Sequence, residues 1–334
     1  MGGEVLVLIE HADAEADELS LQALALARAY ARTLGDAPLA AVLIGAEGRE
    51  AAASLGVHGV ARVHIASHPA LDGPAPFAPD AWAAAISDLI EQLEPAAVLA
   101  AASDRGNEIL ARVAARADLP MAANCTRASA SPEEPTVVTR LRWGGSLLEE
   151  AAVEGSPVLL TVAAHAVAAE TVAEATLASV EEFTPAIGER DLRVRVLERV
   201  ADSGGGVSLA DARVVVSGGR GVGSTEGFAV IEELAALLGA AVGCSRAVTM
   251  AGWRPHSDQV GQTGTKIAPD LYIPCGISGA TQHMAGCKGA KRLLAVNPDA
   301  EAPIFASADY AVIGDLHEVV PAISAAIRSA REAR

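Results

Sequence analysis

Short aliphatic runs, each separated from the next by a helical stretch, occupy the first hundred residues and leave few folds open. Val5–Ile9, Leu39–Ile44 and Ala97–Ala101 contain no polar residue, and Val63–Ile65 repeats the signal more briefly. Runs without polar alternation are strands buried on both faces of a sheet. Between and after them, Glu47–Leu55, Asp80–Leu93 and Arg105–Ala117 read as helices, and Ser20 is expected to cap a helix that runs to Leu34 and closes at Gly35. Strands alternating with helices predict a right-handed, mostly parallel α/β sheet with helices on both faces. From Pro135 the texture changes. Thr136–Arg142 and Leu147–Val153 flank Trp143-Gly144-Gly145-Ser146 as a hairpin, and Val158–Val162 is a further strand. Glu181–Arg199 is charged and less regular, and Ser203-Gly204-Gly205-Gly206 reads as a linker. These features divide the chain into an N-terminal domain over 1–200, a linker over 201–206 and a C-terminal domain over 207–334.

The second domain restarts the pattern. Arg213–Val216, Leu271–Cys275, Leu293–Val296 and Tyr310–Ile313 are expected strands, Gly218–Gly223 a glycine-rich turn, and Glu226–Leu238 a helix ended by Gly239. Asp315 and Glu318 form a capping-box pair ahead of Val319, Val320, Ile323 and Ile327, an amphipathic helix despite Pro321. Polar, glycine-rich sequence follows each strand at its carboxyl end, where an open α/β sheet binds its ligands.

Composition narrows the function. Residues 1–201 carry 14 arginines, no lysine and 29 acidic side chains, whereas residues 202–334 carry 11 basic and 13 acidic ones. A formal net charge of −17 argues against a nucleic-acid partner, whose phosphates demand a basic face. The longest apolar run, Val158–Ala169, is broken by Thr161 and His165 and falls short of the roughly 18 residues of a membrane helix. The start lacks a basic segment ahead of its apolar run, so no signal or transit peptide is expected and the protein is read as cytoplasmic. Cys125, Cys244, Cys275 and Cys287 show no CxxC pair and no metal-ligand spacing, and are expected to be reduced and buried.

The loops of the second domain carry the candidate chemistry. Arg220 lies among glycines that would let its guanidinium reach a phosphate or a ring edge, although a tight turn explains the same glycines and no GxGxxG spacing occurs. Ser245-Arg246 supplies a second cation or a plain surface charge. Val260-Gly261-Gln262-Thr263 offers an amide and a hydroxyl beside glycine, either to the edge of a flat heterocycle or as a surface turn. Ser278-Gly279-Ala280-Thr281-Gln282-His283 follows a strand and opens a helix, so it is either a pyrophosphate site at a helix N-terminus or an ordinary turn capped by Ser278. Asn297 precedes Pro298 at the end of another strand, and Asp315-Leu316 opens the last helix.

In this order and spacing, GGRG, CSRA, VGQTG, GISGATQH and VNPD closely resemble the electron transfer flavoprotein alpha-subunit family, and the likeness continues through Glu301–Phe305 and Ala308–Tyr310. The first half resembles the family more loosely, in strand order and in the Arg140–Ser146 hairpin. The resemblance implies a Rossmann-like C-terminal domain that binds FAD, using Arg220, Ser245, Arg246, Val260 to Thr263, Ser278 to His283, Asn297, Asp315 and Leu316. In the family the arginine of SR lies by the isoalloxazine, the threonine of VGQT reaches N5, and the histidine lies near the C2 carbonyl. The resemblance also implies a heterodimer with a beta subunit, which carries electrons from flavin dehydrogenases to a membrane quinone oxidoreductase without itself entering the membrane. An electron-bifurcating, NADH-dependent member is the alternative. No GxGxxG followed by an acidic residue occurs in either half, which argues against an NAD dehydrogenase. Three positions depart from the usual family pattern: Lys266 is displaced by one residue, Met250 stands where an aspartate is common, and Thr281 replaces an isoleucine.

Overall fold

The computed structural model describes residues 3–12, 14–72, 77–131, 134–175, 177–197, 209 and 212–332. Two compact units emerge, Met1–Ala201 and Asp202–Arg334. The expected linker Ser203–Gly206 lies outside the described residues.

In the first unit the strands of the main sheet are β1 (Val5–Leu8), β2 (Leu39–Ile44), β3 (Arg62–Ala66), β4 (Ala97–Ala101), β5 (Met121–Ser131), β6 (Glu134–Arg142), β7 (Leu147–Val153), β8 (Val158–Val162) and β9 (Ser179–Phe183). They form one nine-stranded sheet in the order β9-β3-β2-β1-β4-β8-β5-β6-β7. Pairing is parallel from β9 through β5. It turns antiparallel at the β5–β6–β7 meander. The missing polar alternation in β1, β2 and β4 now has its cause. Val5, Val7, Leu39, Leu43 and Leu99 pack with Leu24, Ala27 and Tyr30 of helix α1 (Glu18–Thr33). Their neighbours Leu6, Leu8, Val42 and Val98 pack with Trp82, Ile86 and Leu89 of α2 (Pro79–Leu93) and Ile109 and Leu110 of α3 (Asp104–Ala117). Both faces are therefore apolar and both are covered, as the sequence predicts.

Several local expectations are corrected. Asp17, not Ser20, caps α1, its Oδ1 accepting from the Leu19 amide at 2.9 Å. Ser20 is buried inside the first turn, where its hydroxyl accepts from the Glu10 amide at 3.0 Å. Glu47–Leu55 shortens to a helical turn, Gly48–Ala52, followed by a 3-10 turn at Leu55–His58. The charged stretch beginning at Glu181 overlaps a strand, because β9 adds an exposed, glutamate-bearing edge parallel to β3. Strand β5 was not anticipated at all.

The second unit holds β10 (Val214–Gly218), β11 (Ala241–Cys244), β12 (Leu271–Cys275), β13 (Leu294–Asn297) and β14 (Tyr310–Ile313), all parallel, in the order β11-β10-β12-β13-β14. Helices α4 (Ala229–Leu238) and α5 (Leu316–Glu332) cover one face, with Ile231, Leu234, Leu316 and Val320 in a common core. Leu209, Tyr272, Ile277, Leu293 and Ile304 form the core of the other face. The cap of α5 runs through His317, whose amide donates to Asp315 Oδ1 at 2.9 Å, rather than through the Glu318 amide, which donates to the Asp315 carbonyl. The four cysteines are buried as free thiols.

Candidate functional site

The strand order reverses direction between β10 and β12, and at such a switch point the loops beyond the strand ends part to leave a crevice. Here the crevice is a cleft of about 540 Å³ at the carboxyl ends of β10 through β13. That size falls within the range of small-molecule and cofactor pockets.

Backbone contacts fasten the cleft's floor. The Gly219 amide donates to the Cys275 carbonyl at 2.8 Å, and the Gly221 amide to the Gly276 carbonyl at 3.2 Å. A Cβ on Gly221 would lie 2.9 Å from Gly276 Cα, so this approach requires glycine. Arg220 is the first residue of a 3-10 turn, Arg220–Val222, and stands exposed at the rim. Ser245 is the N-cap of a short helix, Arg246–Met250, and its amide donates to the Gly218 carbonyl at 3.1 Å. Arg246 opens that helix and is also exposed. Among the described residues neither guanidinium has a hydrogen-bond or ion-pair partner, although 15 other pairs join an arginine or lysine to a carboxylate. Two free cations at one cleft therefore oppose the acidic bias of the chain.

The wall opposite is built from Val260, Gly261, Gln262 and Thr263. The Val260 amide donates to the Cys244 carbonyl and the Gln262 amide to the Gln282 carbonyl, at 2.9 and 2.8 Å, which ties this loop both to β11 and to the turn after β12. Gln259, a residue the sequence reading passed over, also lines the cleft and is only 4 % exposed. Its Oε1 accepts from Thr249 Oγ1 at 2.7 Å, and its Nε2 donates to Thr263 Oγ1 at 3.0 Å. Since the Thr263 oxygen accepts that bond, its own hydroxyl proton remains available to the cleft. The only sequence signal for Gln259 was a polar residue next to the VGQT loop.

After β12 come Ile277, Ser278, Ala280, Gln282 and His283, all at the cleft. Ser278 does not cap the following turn. Its carbonyl accepts from the Ile304 amide at 3.0 Å, and the helical turn is Thr281–Met284 with Ala280 at its N-cap. His283 is 7 % exposed, with Nε2 2.8 Å from the hydroxyl of the fully buried Tyr272. Its Nδ1 is buried and has no hydrogen-bond partner. Burial pushes the imidazole down to about 4, against a smaller upward pull from the Val260 backbone. Asn297 completes the far end, donating from Nδ2 to the Ile277 carbonyl at 2.9 Å and accepting on Oδ1 from the Asp299 amide at 3.0 Å.

Four expected residues do not line the cleft. Gly279 (φ +85°) serves the turn, where a Cβ would lie 2.4 Å from the Ile304 amide nitrogen. Thr281 points to solvent. The Asp315 carboxylate is occupied by the His317 amide, and Leu316 is buried beneath Gly276. The residues that do converge suit an anionic ligand with a flat, hydrogen-bonding ring. They provide two guanidiniums without partners among the described residues, a hydroxyl proton, amide side chains and an imidazole. FAD meets that description.

Similarity to known proteins accords with the geometry. Residues 208–288 match the family described as electron transfer flavoprotein FAD-binding domain, and residues 5–187 match the electron transfer flavoprotein domain. The first match contains every loop of the cleft except that of Asn297 and Asp299 and the segment at Ala302. The chain is 40 % identical to electron transfer flavoprotein subunit alpha of Mycobacterium tuberculosis, over 98 % of each chain. It is 35 % identical to that of Bacillus subtilis over 97 % of each chain. It is 34 % identical to that of Megasphaera elsdenii over 97 % of this chain and 96 % of the relative.

Proposed function

The chain belongs to the electron transfer flavoprotein alpha-subunit family, and from that membership we propose that it pairs with a beta subunit and carries electrons from flavin dehydrogenases to a membrane quinone oxidoreductase. Its C-terminal unit is a FAD-binding domain. Among the described residues no helix is long and apolar enough to cross a membrane, and we place the pair in the cytoplasm as a carrier between its donors and a membrane-bound acceptor.

Bound FAD supplies the redox chemistry, and the protein supplies binding, orientation and electrostatics. Arg220 and Arg246 would hold negative charge at the cleft, the first toward the phosphates and the second toward the ring. Gln259 fixes the direction of the Thr263 hydroxyl so that it donates inward. Ser245, Gln262, Ser278 and Gln282 add neutral hydrogen-bonding groups, and Val260, Gly261 and Ala280 let a ring lie close to the backbone. Asn297 holds the ends of β12 and β13 together. Gly279, Thr281, Asp315 and Leu316 support the turn and the last helix from outside the cleft. The single observation that carries this reading is the pair of guanidiniums, without partners among the described residues, that line one cleft in a chain of net charge −17.

Co-expression with a beta subunit from the same source, followed by a visible spectrum and chromatography of the released cofactor, tests the reading. A yellow complex containing equimolar FAD is expected, and it should be reduced by a flavin dehydrogenase and reoxidised by a quinone oxidoreductase. A colourless complex would overturn the assignment of the cleft. A yellow complex that exchanges electrons with neither partner would overturn the role.

A further inference from the structure

We propose that Gln259 is a reversible positioning residue: by turning over its amide it lets the Thr263 hydroxyl donate into the cleft in one redox state of the bound ring and accept in the other. This inference rests on the reading of that cleft as a flavin site.

The backbone of Gln259 is pinned on both sides. Its amide donates to the His256 carbonyl at 2.9 Å, its carbonyl accepts from the Thr265 amide at 2.7 Å, and the residue is buried. The two ends of its side chain face two hydroxyls, Oε1 lying 2.7 Å from Thr249 Oγ1 and Nε2 lying 3.0 Å from Thr263 Oγ1. A hydroxyl both donates and accepts, so it can partner either end of an amide, and both distances suit either arrangement. A neighbour that only donates or only accepts would hold the amide to one orientation; neither hydroxyl does. Turning the amide through half a circle exchanges Oε1 and Nε2 with almost no change of shape.

A spare acceptor completes the reversal. Thr249 Oγ1 also lies 3.0 Å from the Arg246 carbonyl, yet it has one proton to share between that oxygen and Gln259. In one polarity Thr249 donates to Oε1, Nε2 donates to Thr263, and the Thr263 proton is left for the cleft. In the other, Thr263 donates to Oε1, Nε2 donates to Thr249, and the Thr249 proton turns to the Arg246 carbonyl. The Thr263 oxygen then offers the cleft a lone pair. Three rotations separate the two arrangements, and every proton stays on its own atom. Both ends of the buried amide keep a partner throughout, so neither polarity carries the cost of an orphaned group. A flavin calls for both. Its ring nitrogen N5 accepts a hydrogen bond when oxidised and carries a proton when fully reduced, so a hydroxyl locked as a donor would oppose the reduced ring.

The test uses the full chain co-purified with its beta subunit, deuterated, with ¹⁵N-labelled glutamine side chains and protonated threonine methyl groups. The Gln259 amide is assigned by its loss in Gln259→Leu or, should that chain not fold, in Gln259→Glu. Nuclear Overhauser contacts from the Nε2 protons should favour Thr263 in the oxidised complex and shift to Thr249 after full reduction with dithionite. Contacts that favour the same threonine in both states overturn the proposal. Gln259→Leu removes the partner that serves both polarities, so the dissociation constants of oxidised and reduced FAD should rise together, about tenfold, and leave the two-electron potential unchanged. A rise of about 30 mV, the tenfold interval of a two-electron couple, would mean that only the oxidised form had weakened, and would overturn the reversal. A complex that binds FAD but whose amide never turns defeats the proposal and leaves the flavin reading standing. A complex without FAD removes the flavin reading itself, and the proposal with it.

Discussion

Replacing Gln259 separates the part that holds the cleft wall from the part that points a proton into it. Gln259→Leu keeps the approximate size and leaves the backbone bonds of this residue intact, namely its amide to His256 and its carbonyl from Thr265. It removes two side-chain hydrogen bonds at a site only 4 % exposed. At about 1 kcal/mol net for each bond, the loss is about 2 kcal/mol, somewhat more where Thr263 is left without its donor. Thr249 retains the Arg246 carbonyl at 3.0 Å and loses less. For a unit of this size the melting temperature should fall by roughly 8 °C. Gln259→Glu makes the sharper comparison. A carboxylate only accepts, so Thr263 must turn its proton inward toward residue 259, and the cleft loses a donor while gaining a negative charge. The wall keeps both hydrogen bonds, and the melting temperature of the cofactor-free protein should stay within a few degrees of the parent. The FAD dissociation constant should nevertheless rise by at least about tenfold, the equivalent of 1.4 kcal/mol. Differential scanning fluorimetry of the stripped complex and a fluorescence titration with FAD measure the two quantities. If Gln259→Glu binds FAD as tightly as the parent, the Thr263 hydroxyl is not directed at the ligand and the reasoning fails.

Arg246→Ala should lower the first one-electron potential of the bound flavin by about 60 mV, the tenfold interval for a one-electron couple, with FAD content near that of the parent; spectroelectrochemical titration reads both. The pKa of His283 is depressed from 6.5 to about 4 in the folded state, so the unfolded chain binds the extra proton between those values. The stability this residue contributes is therefore complete above pH 6.5, falls as the pH drops toward 4, and amounts to about 3 kcal/mol over the interval. Chemical denaturation across that window should show a shallower slope for His283→Gln, and parallel slopes would refute the buried neutral imidazole. Gly279→Ala should cost more than about 2 kcal/mol in denaturant melts, because φ is +85° and the added carbon would meet the Ile304 backbone at 2.4 Å. Parent-like stability would show that the turn relaxes freely.

Legibility in the sequence followed pattern more than burial. Leu39–Ile44, Ala97–Ala101, Val158–Val162 and Leu271–Cys275 were readable to the residue as buried, mostly apolar runs, and the exposed Leu147–Val153 and Tyr310–Ile313 were readable to the residue as well. Met121–Ser131 escaped because one of its faces is exposed and its residues are small or polar, so tertiary pairing with β8 and β6 rather than local preference makes it a strand. Ser179–Phe183 escaped for the same reason at the opposite edge. Residues of the cleft were readable through short motifs at Arg220, Ser245-Arg246 and Val260–Thr263, of which the first two follow a strand, the one before Ser245 (Ala241–Cys244) not having been expected. Gln259 was not, since its importance lies in joining Thr249, on a separate helical turn, to Thr263. Tyr272 was hidden likewise, an aromatic residue inside a strand whose partner lies eleven positions later.

The amide-to-carbonyl stitching of Gly219 and Gly221 onto Cys275 and Gly276 has an evolutionary corollary. A cradle secured through main-chain atoms keeps its shape whatever side chains are hung around it, so lineages are free to retune the cofactor by exchanging ornaments while the frame stays put. Met250, Lys266 and Thr281, the three positions where the resemblance implies a departure from the family pattern, are all exposed and stand outside the cleft lining.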